Sequence, residues 1–489
     1  MSGVGINTLI KEAMLLNHAL IDPKISLCGS GSEDKKRAEF QIKAFLEKAS
    51  PYMGTQQLSP SLKELRETCR LNGLIGEFSL RVQKFVTPIL KLPQDALNTI
   101  IEFLSPEDFS KAVVTSKASN RSLAKACYIQ RLIKISKGYP VKDFGLTEDS
   151  LLLLIKRNQA FERKKEGITI KRLNLDHVKI TNFSALLELC PKVHSLSFVV
   201  EVFFKSFVAE QVSLYQNIRE LNLKNNRIGA EGARAISRML NLTSLDLSSN
   251  YIDAEGAIAI AGMSGVTELN LSENPLGFGG IKAISGMGNV TSLDLSFNSV
   301  YSAGAIVISS MVNLKILCLL RAAIDNDGAV AISTMTNLMS LNLADNHLND
   351  QGALAISRML KLTLLNLSNN SIRSTGATAI STMANLKTLY LNKSRIDVHG
   401  ASAISEMVSL TSLDLSFNNL GDAGAIVISR MCNVTNLFLK QTKIGDEGTM
   451  AVSRIGRLAI LNLQDNNISD VLKEQVRQAL KARRVKIEL

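Results

Sequence analysis

Hydrophobic and polar positions along residues 218–468 repeat with a period of 24, and the pattern is written eleven times. An aliphatic residue stands at Ile218, Leu242, Val266, Val290, Leu314, Leu338, Leu362, Leu386, Leu410, Val434 and Leu458. Two more follow at spacings of three and two, as at Leu221 and Leu223 or Leu245 and Leu247. The alternating L-x-L segment predicts a short strand with its leucines turned inward. Three residues later most copies carry Asn, as at Asn226, Asn250, Asn274, Asn298, Asn346, Asn370, Asn418 and Asn466. That Asn predicts a turn whose unpaired backbone groups its amide can satisfy. An apolar residue and a block such as Gly256-Ala257-x-Ala259-Ile260 come next, and the alanines favour a helix with a small face. Asp253, Asp325, Ser374 and Asp422 stand just before such blocks and are expected to be helix N-caps. Nine of the 14 Met (Met239, Met263, Met287, Met311, Met335, Met359, Met383, Met407, Met431) close successive copies, which assigns them to a core and not to a metal or cofactor.

No single copy can bury its apolar side alone, so stacked neighbours do it for each other. Eleven copies at about 4.8 Å per strand predict a sheet about 50 Å long. The L-x-x-L-x-L-x-x-N-x-L core, at a period within roughly 20–29 residues, resembles the leucine-rich repeat. The Gly-Ala-x-Ala-Ile block in a 24-residue copy resembles the GALA-type repeat in particular. The resemblance implies an α/β leucine-rich-repeat solenoid, with parallel strands on the concave face and helices on the convex face. In the bacterial family that carries GALA repeats, proteins delivered into host cells, the repeats follow an F-box.

Upstream, Leu97, Ile100, Ile101 and Leu104 fall on one face of a short helix that begins after Leu92-Pro93. A second helix opens at Ser105-Pro106-Glu107-Asp108, with Ser105 as cap. This stretch resembles an F-box, matched by Leu92, Pro93, Leu97, Ile100, Ile101, Leu104, Ser105, Asp108, Phe109, Val114, Ser116 and Lys117. It departs from the family pattern at Asp95, where a Glu is usual, and at Ser119, where an aromatic is frequent. The resemblance implies that Leu92, Pro93, Leu97, Ile100, Ile101 and Leu104 dock a Skp-type adaptor, which tethers the chain to a cullin complex. The plainer alternative is a two-helix piece of an ordinary bundle.

The expected organisation is a helical N-terminal region (1–90), the F-box (91–137), a helical linker (138–167) and the solenoid (168–489). The N-terminal part is thus all-α. Within the solenoid, residues 168–217 hold two irregular capping copies, around Ile170-Leu173-Leu175 and Val193-Leu196-Phe198. Phe198, Phe203, Phe204 and Phe207 are expected to be buried there. At the far end Val471, Leu472, Val476, Ala479 and Leu480 predict an amphipathic helix that shields the last copy, followed by a basic tail.

Charge narrows the partners. The net charge of +12 is concentrated in residues 1–167 (+8) and 473–489 (+4), while 168–472 is neutral. A nucleic-acid binder would concentrate basic residues on the concave face, so no nucleic-acid partner is expected. Six scattered Cys suit a reducing compartment, and no Cys/His spacing suggests a zinc site. The start MSGVGINTLIKEAMLL lacks a secretory pattern, and the longest apolar run, LSFVVEVFF, contains Glu201. The expectation is a cytoplasmic protein without membrane insertion, acting in the host cytoplasm if it is a secreted bacterial effector.

Three copies depart from the repeat's own polar pattern: LCLLRAAI (317–324), LYLNKSRI (389–396) and LFLKQTKI (437–444). They replace the turn Asn by Ala322, Ser394 and Thr442, and place Cys318, Leu320, Arg321, Tyr390, Lys393, Phe438 and Lys440 on the strand or just past it. Aromatic residues and Arg are enriched at binding hot spots. Leu320, Arg321, Tyr390, Lys393, Phe438 and Lys440 are therefore the candidate target-binding residues, against a tolerated variation of the repeat. No nucleophile–base pair or phosphate loop is found, so no catalytic residue, cofactor or metal is assigned. Together with the F-box resemblance, this describes the substrate-recognition subunit of an SCF-type cullin ubiquitin ligase. The alternative is a leucine-rich-repeat scaffold unconnected with ubiquitin transfer.

Overall fold

A computed structural model describes residues 134–144, 146, 148–162, 170–176, 178, 183–199 and 206–489. The adaptor-docking candidates Leu92, Pro93, Leu97, Ile100, Ile101 and Leu104 lie outside the described residues, as do Phe203 and Phe204. The chain divides into two compact units at Val193–His194. In the first, a 3-10 turn (Val141–Phe144) precedes a helix (Glu148–Glu162), a strand (Arg172–Asn174) and a short helix (Phe183–Glu188). Pro140 forms a parallel bridge with Asn174, and Ile135, Val141, Leu151, Leu154, Ile155, Leu173 and Leu175 are buried. Leu153, next in the chain to Leu154, faces solvent.

The second unit is a regular stack. Three-residue strands begin at Ser195–Ser197 and Glu220–Asn222, recur every 24 residues to Ile460–Asn462, and end with Lys486–Glu488. Each pairs in parallel with the next, in sequence order and without a shift of register. Equal repeat length causes this register: Leu221 lies beside Leu245, and Leu245 beside Leu269. In every strand of the stack but the last, the middle residue is buried between half-exposed or exposed flanks. A helix of seven or eight residues returns the chain in each regular repeat, from Gly229–Ile236 to Asp446–Ser453. Strands stack about 4.8 Å apart, whereas packed helices need about 8–10 Å, so the stack bends with its strands on the inner, concave side.

The core is the one the period predicts. All nine repeat methionines are at most 5% exposed, and the middle leucine of each repeat strand is buried. Helices approach closely because their contact face is Gly and Ala: a Cβ on Gly256 would lie 2.7 Å from Ile252 Cγ2 and 3.2 Å from Ala233 Cβ. The turn asparagines form a ladder that ties each repeat to the one before. Asn250 Oδ1 accepts the N–H of Asn226 at 2.9 Å, while its Nδ2 donates to the Leu223 carbonyl at 2.7 Å. Where the Asn is replaced by Ala322, Ser394 or Thr442, a backbone bond that Gly229 also makes to Asn250 remains. Tyr301 and Arg373 N–H donate to the Ala322 and Ser394 carbonyls at 3.0 Å, and Gly421 N–H donates to that of Thr442 at 3.1 Å.

Helix starts follow the residue three past the turn Asn. Asp253 and Asp325 cap as expected, each accepting the N–H three residues on at 3.0 Å. Asp397 and Ser469 do the same for their own helices, and Asn349 caps its helix through the N–H two residues on. Ser374 and Asp422 do not: both lie inside the first turn, in helices Arg373–Ile380 and Gly421–Ile428. In those two repeats the capping position holds Arg373 and Gly421, which enter the helix through positive φ instead, so the polar residue is displaced by one. Ser374 donates to Asp397 of the following repeat, and Asp422 accepts from the following helix.

The far end differs from the expected helix and basic tail. Helix Asp470–Ala482 buries Leu472, Val476 and Leu480, but Val471 and Ala479 face solvent because their positions fall off that stripe. The basic residues after it are built in. Lys486–Glu488 adds a strand to Ile460–Asn462, and Arg483 donates to the Ser453, Ile455 and Gly456 carbonyls at the end of the preceding helix. No helix among the described residues is long and apolar enough to cross a membrane.

Candidate partner-binding face

The strand flanks and the residues just past them make one continuous polar face. In most repeats the last strand residue is Asp or Asn, and its side chain is committed to the turn that follows. Asp246 Oδ1 accepts the Ser248 N–H at 2.9 Å, and Asn270, Asp294, Asn366 and Asp414 act alike. These carboxylates and amides are therefore parts of the backbone accounting before they are anything for a partner.

Cys318, Tyr390 and Phe438 occupy that position in the three departing repeats. The turn then borrows from the repeat before: the Leu320 and Lys440 N–H groups donate to Ser296 Oγ and Ser416 Oγ, both at 3.2 Å. In the Phe438 repeat the turn is thus satisfied by a neighbour, and the strand-end ring has no part in it. Tyr390 and Phe438 are half-buried on either side of Asp414, in register, so the three share one row. Two strand spacings, roughly 10 Å, separate the aromatic residues. Cys318 is tied instead, receiving the Ser296 hydroxyl at 3.0 Å and the Asn342 amide at 3.2 Å. Burial, with the Asp294 carboxylate beside it, pushes its thiol up from the ordinary value, which leaves it protonated and unreactive.

Arg321 and Lys393 stand one residue before the missing Asn, at φ 51° in both cases. Every regular repeat has this residue in the left-handed region, from Asn225 to Asp465, so the side chains form a periodic stripe along one edge of the face. The Arg321 guanidinium lies 5.6 Å from the Phe297 ring centre and its Nε 3.3 Å from Asp345 Oδ2. The Lys393 ammonium lies 5.0 Å from the Phe417 ring centre and, among the described residues, has no carboxylate at ion-pair distance. Lys440 pairs with Asp465 at 3.2 Å. The structure thus brings Tyr390, Lys393, Phe438 and Lys440 into one neighbourhood, with Leu320 and Arg321 three repeats away.

Phe297 and Phe417 belong to this stripe and were not among the residues singled out by sequence. Both are large exposed apolar residues. Their signal was available: the two copies share the string DLSFN, with an aromatic where others carry Ser, Asn or charge.

Comparison with known proteins agrees on the repeats. Leucine-rich-repeat family models match residues 216–276 and 360–420, and a second such model matches 334–357. The chain carries leucine-rich repeats, and the second unit is a solenoid of parallel strands and helices built from them. A search of curated protein sequences finds no relative. Among solved structures, an internalin of Listeria monocytogenes is 20% identical at a TM-score of 0.44, over 57% of this chain and 82% of that one. A leucine-rich-repeat protein of Leptospira interrogans is 19% identical at 0.44, over 65% and 90%. The Arabidopsis receptor kinase HAESA, solved with the peptide hormone IDA and the co-receptor SERK1, is 18% identical at 0.44, over 66% of this chain and 58% of its own.

Proposed function

We propose that this chain is a protein-interaction scaffold that holds a target protein against the strand face, gripped by Tyr390, Lys393, Phe438 and Lys440. One observation carries the reading: Tyr390 and Phe438 replace the Asp or Asn whose side chain bonds the turn in most repeats and lie in register on either side of Asp414, with Lys393 stacked on Phe417 along the adjoining edge. Leu320 and Arg321 extend the same face. The test is affinity capture from cell extract with the intact chain and with a Tyr390→Asp/Phe438→Asp variant. Proteins retained by the first and lost by the second support the site; an unchanged set refutes it.

The finer reading makes the scaffold the target-recognition subunit of an SCF-type ubiquitin ligase, a non-catalytic role in which proximity supplies the rate. It rests on the F-box resemblance, in which Leu92, Pro93, Leu97, Ile100, Ile101 and Leu104 meet a Skp-type adaptor, and on GALA-like repeats following it. Action as a bacterial effector in host cytoplasm belongs to the same reading. Co-precipitation of a Skp-type adaptor, lost on Leu92→Ala with Pro93→Ala, supports it. Failure of the intact chain to bind that adaptor removes the ligase role and leaves the scaffold standing.

A further inference from the structure

A second surface lies on the opposite edge of the solenoid, where each helix hands over to its strand. Two positions there are occupied by backbone-bonding residues in most repeats. One is Asn, whose amide donates to a carbonyl of the repeat before, as Asn313 does to Gly288 at 2.8 Å and Asn337 to Val312 at 2.9 Å. The other is Thr, whose hydroxyl donates to the carbonyl 24 residues earlier, as Thr291 does to Thr267 at 3.2 Å.

Four consecutive repeats break this pattern, and within them the three charged departures are all lysine. Lys315 and Lys387 replace the Thr, and Lys361 replaces the Asn. With Met339, Asn337 and Thr363 they line a groove of about 580 Å³ that contains no carboxylate. Lys361 donates to Asn337 Oδ1 at 2.9 Å, a neutral partner, and none of the three ammonium groups makes an ion pair among the described residues. The groove is not uniformly polar. Met339 is 47% exposed within it.

We propose that this groove docks an acidic polypeptide segment in extended form, with carboxylates on the lysines and the methylene groups of the same acidic side chains over Met339. Charge complementarity selects the sign: unpaired cations close together favour an anionic partner and gain most from one. The mixture selects the class, because a nucleic acid would seek aromatic stacking surfaces, and no aromatic side chain lines the groove. Spacing selects the pattern. Lys315 and Lys387 are three repeats apart, roughly 14 Å, and an extended chain places same-side residues roughly 6.6–6.8 Å apart. Carboxylates at alternate positions i, i+2 and i+4 therefore span the three lysines.

The experiment uses the full chain and a fluorescently labelled peptide, Gly-Glu-Leu-Glu-Val-Glu-Gly, read by anisotropy. Saturable binding is expected, weakened at least tenfold by Lys315→Ala/Lys361→Ala/Lys387→Ala and at least threefold by Met339→Gln. The corresponding triple arginine variant should retain most of it. A charge-matched control, Lys224→Ala/Arg395→Ala/Lys443→Ala, should leave it within twofold. Absence of binding to the intact chain overturns the proposal, as does equal loss in the control. Displacement by an oligothymidylate of equal charge, with Met339→Gln silent, overturns it in favour of unspecific polyanion binding. All three lysines are exposed, so the variants should melt with the parent.

Discussion

The carboxylate of Asp422 belongs to one helix and caps the next, its Oδ1 accepting the Gly448 N–H at 2.9 Å. The same oxygen accepts the Gly445 N–H at 2.6 Å. Asp350 does this for Gly376 at 2.6 Å, and Asn326 for Gly352 at 3.0 Å. A helix start leaves four N–H groups without intrahelical partners, and here a neighbouring repeat supplies the acceptor. Such a bond couples repeats, whereas Asp253 only stabilises its own.

Asp422→Ala should therefore lower stability by about 1–2 kcal/mol, and Asp422→Asn by less, because the amide oxygen still accepts. Thermal unfolding followed by circular dichroism measures both. An alanine variant that melts with the parent would refute the cap.

Asn250→Ala should cost more, about 2–3 kcal/mol, because the N–H groups of Asn226 and Ile228 and the Leu223 carbonyl all lose a buried partner. The Gly229 N–H donates to the Asn250 carbonyl just as Tyr301 and Arg373 donate to those of Ala322 and Ser394, so what Asn250 adds is its side-chain amide, and the substitution removes that alone. Urea unfolding of Asn250→Ala against Ser394→Ala separates the two cases: the latter should be the milder.

Strand positions, helix blocks and methionine core were legible because each is a direct consequence of a 24-residue period, which the sequence displays without noise. The capping of Asp253 and Asp325 was legible for the same reason. Ser374 and Asp422 were misread because a polar residue near a helix start signals a cap without saying which helix, and the answer depends on backbone geometry one residue upstream. The strand Lys486–Glu488 was not legible because its residues are largely charged and its apolar partners, Ile460 and Leu461, lie across the sheet. At the candidate face, Tyr390 and Phe438 were visible as departures from consensus. The turn bonds that make those departures meaningful were not, since they connect residues 24 apart.

Tyr301 and Arg373 enter their helices at φ 55° and 50°, where a Cβ is strained; Gly229, Gly277 and Gly421 hold the same position in other repeats. The left-handed conformation costs a non-glycine residue roughly 1–2 kcal/mol, offset in part by the greater freedom of glycine in the unfolded chain. Tyr301→Gly and Arg373→Gly should each stabilise, by about 0.5–1 kcal/mol. A lower melting midpoint in either would mean that the exposed side chain contributes packing that outweighs its strain.

Acidification should loosen specific joints. The Ser302 hydroxyl and the Gly328 N–H hold the Asp325 carboxyl below its usual value, and the Ser374 hydroxyl does the same for Asp397. A carboxylate depressed on folding contributes stability that is complete above its unfolded pKa of about 3.9 and is lost as pH falls through the folded value. Melting midpoints should therefore be flat from neutral pH to about 5 and fall below about 4, less steeply in Asp325→Asn/Asp397→Asn. An equal slope in the variant would show that other carboxylates carry the acid sensitivity.

The two cation–ring pairs on the edge stripe should differ in their worth to a partner. Arg321 is drawn toward Asp345 as well as Phe297, so its charge is largely met before anything binds. Lys393 rests on Phe417 without a carboxylate partner among the described residues, within the row-and-edge neighbourhood of Tyr390 and Phe438. A partner's carboxylate would gain a new pairing at Lys393, whereas at Arg321 it must compete with one already made. Removing the ring under Lys393 frees its long chain, and that freedom must then be lost again on binding. With a target protein captured as above, Phe417→Ala should weaken binding by about 5–30-fold, roughly 1–2 kcal/mol, and Phe297→Ala by less than about threefold. Equal losses would place the footprint across both pairs; a larger loss at Phe297 would move the site toward Arg321 and away from Tyr390.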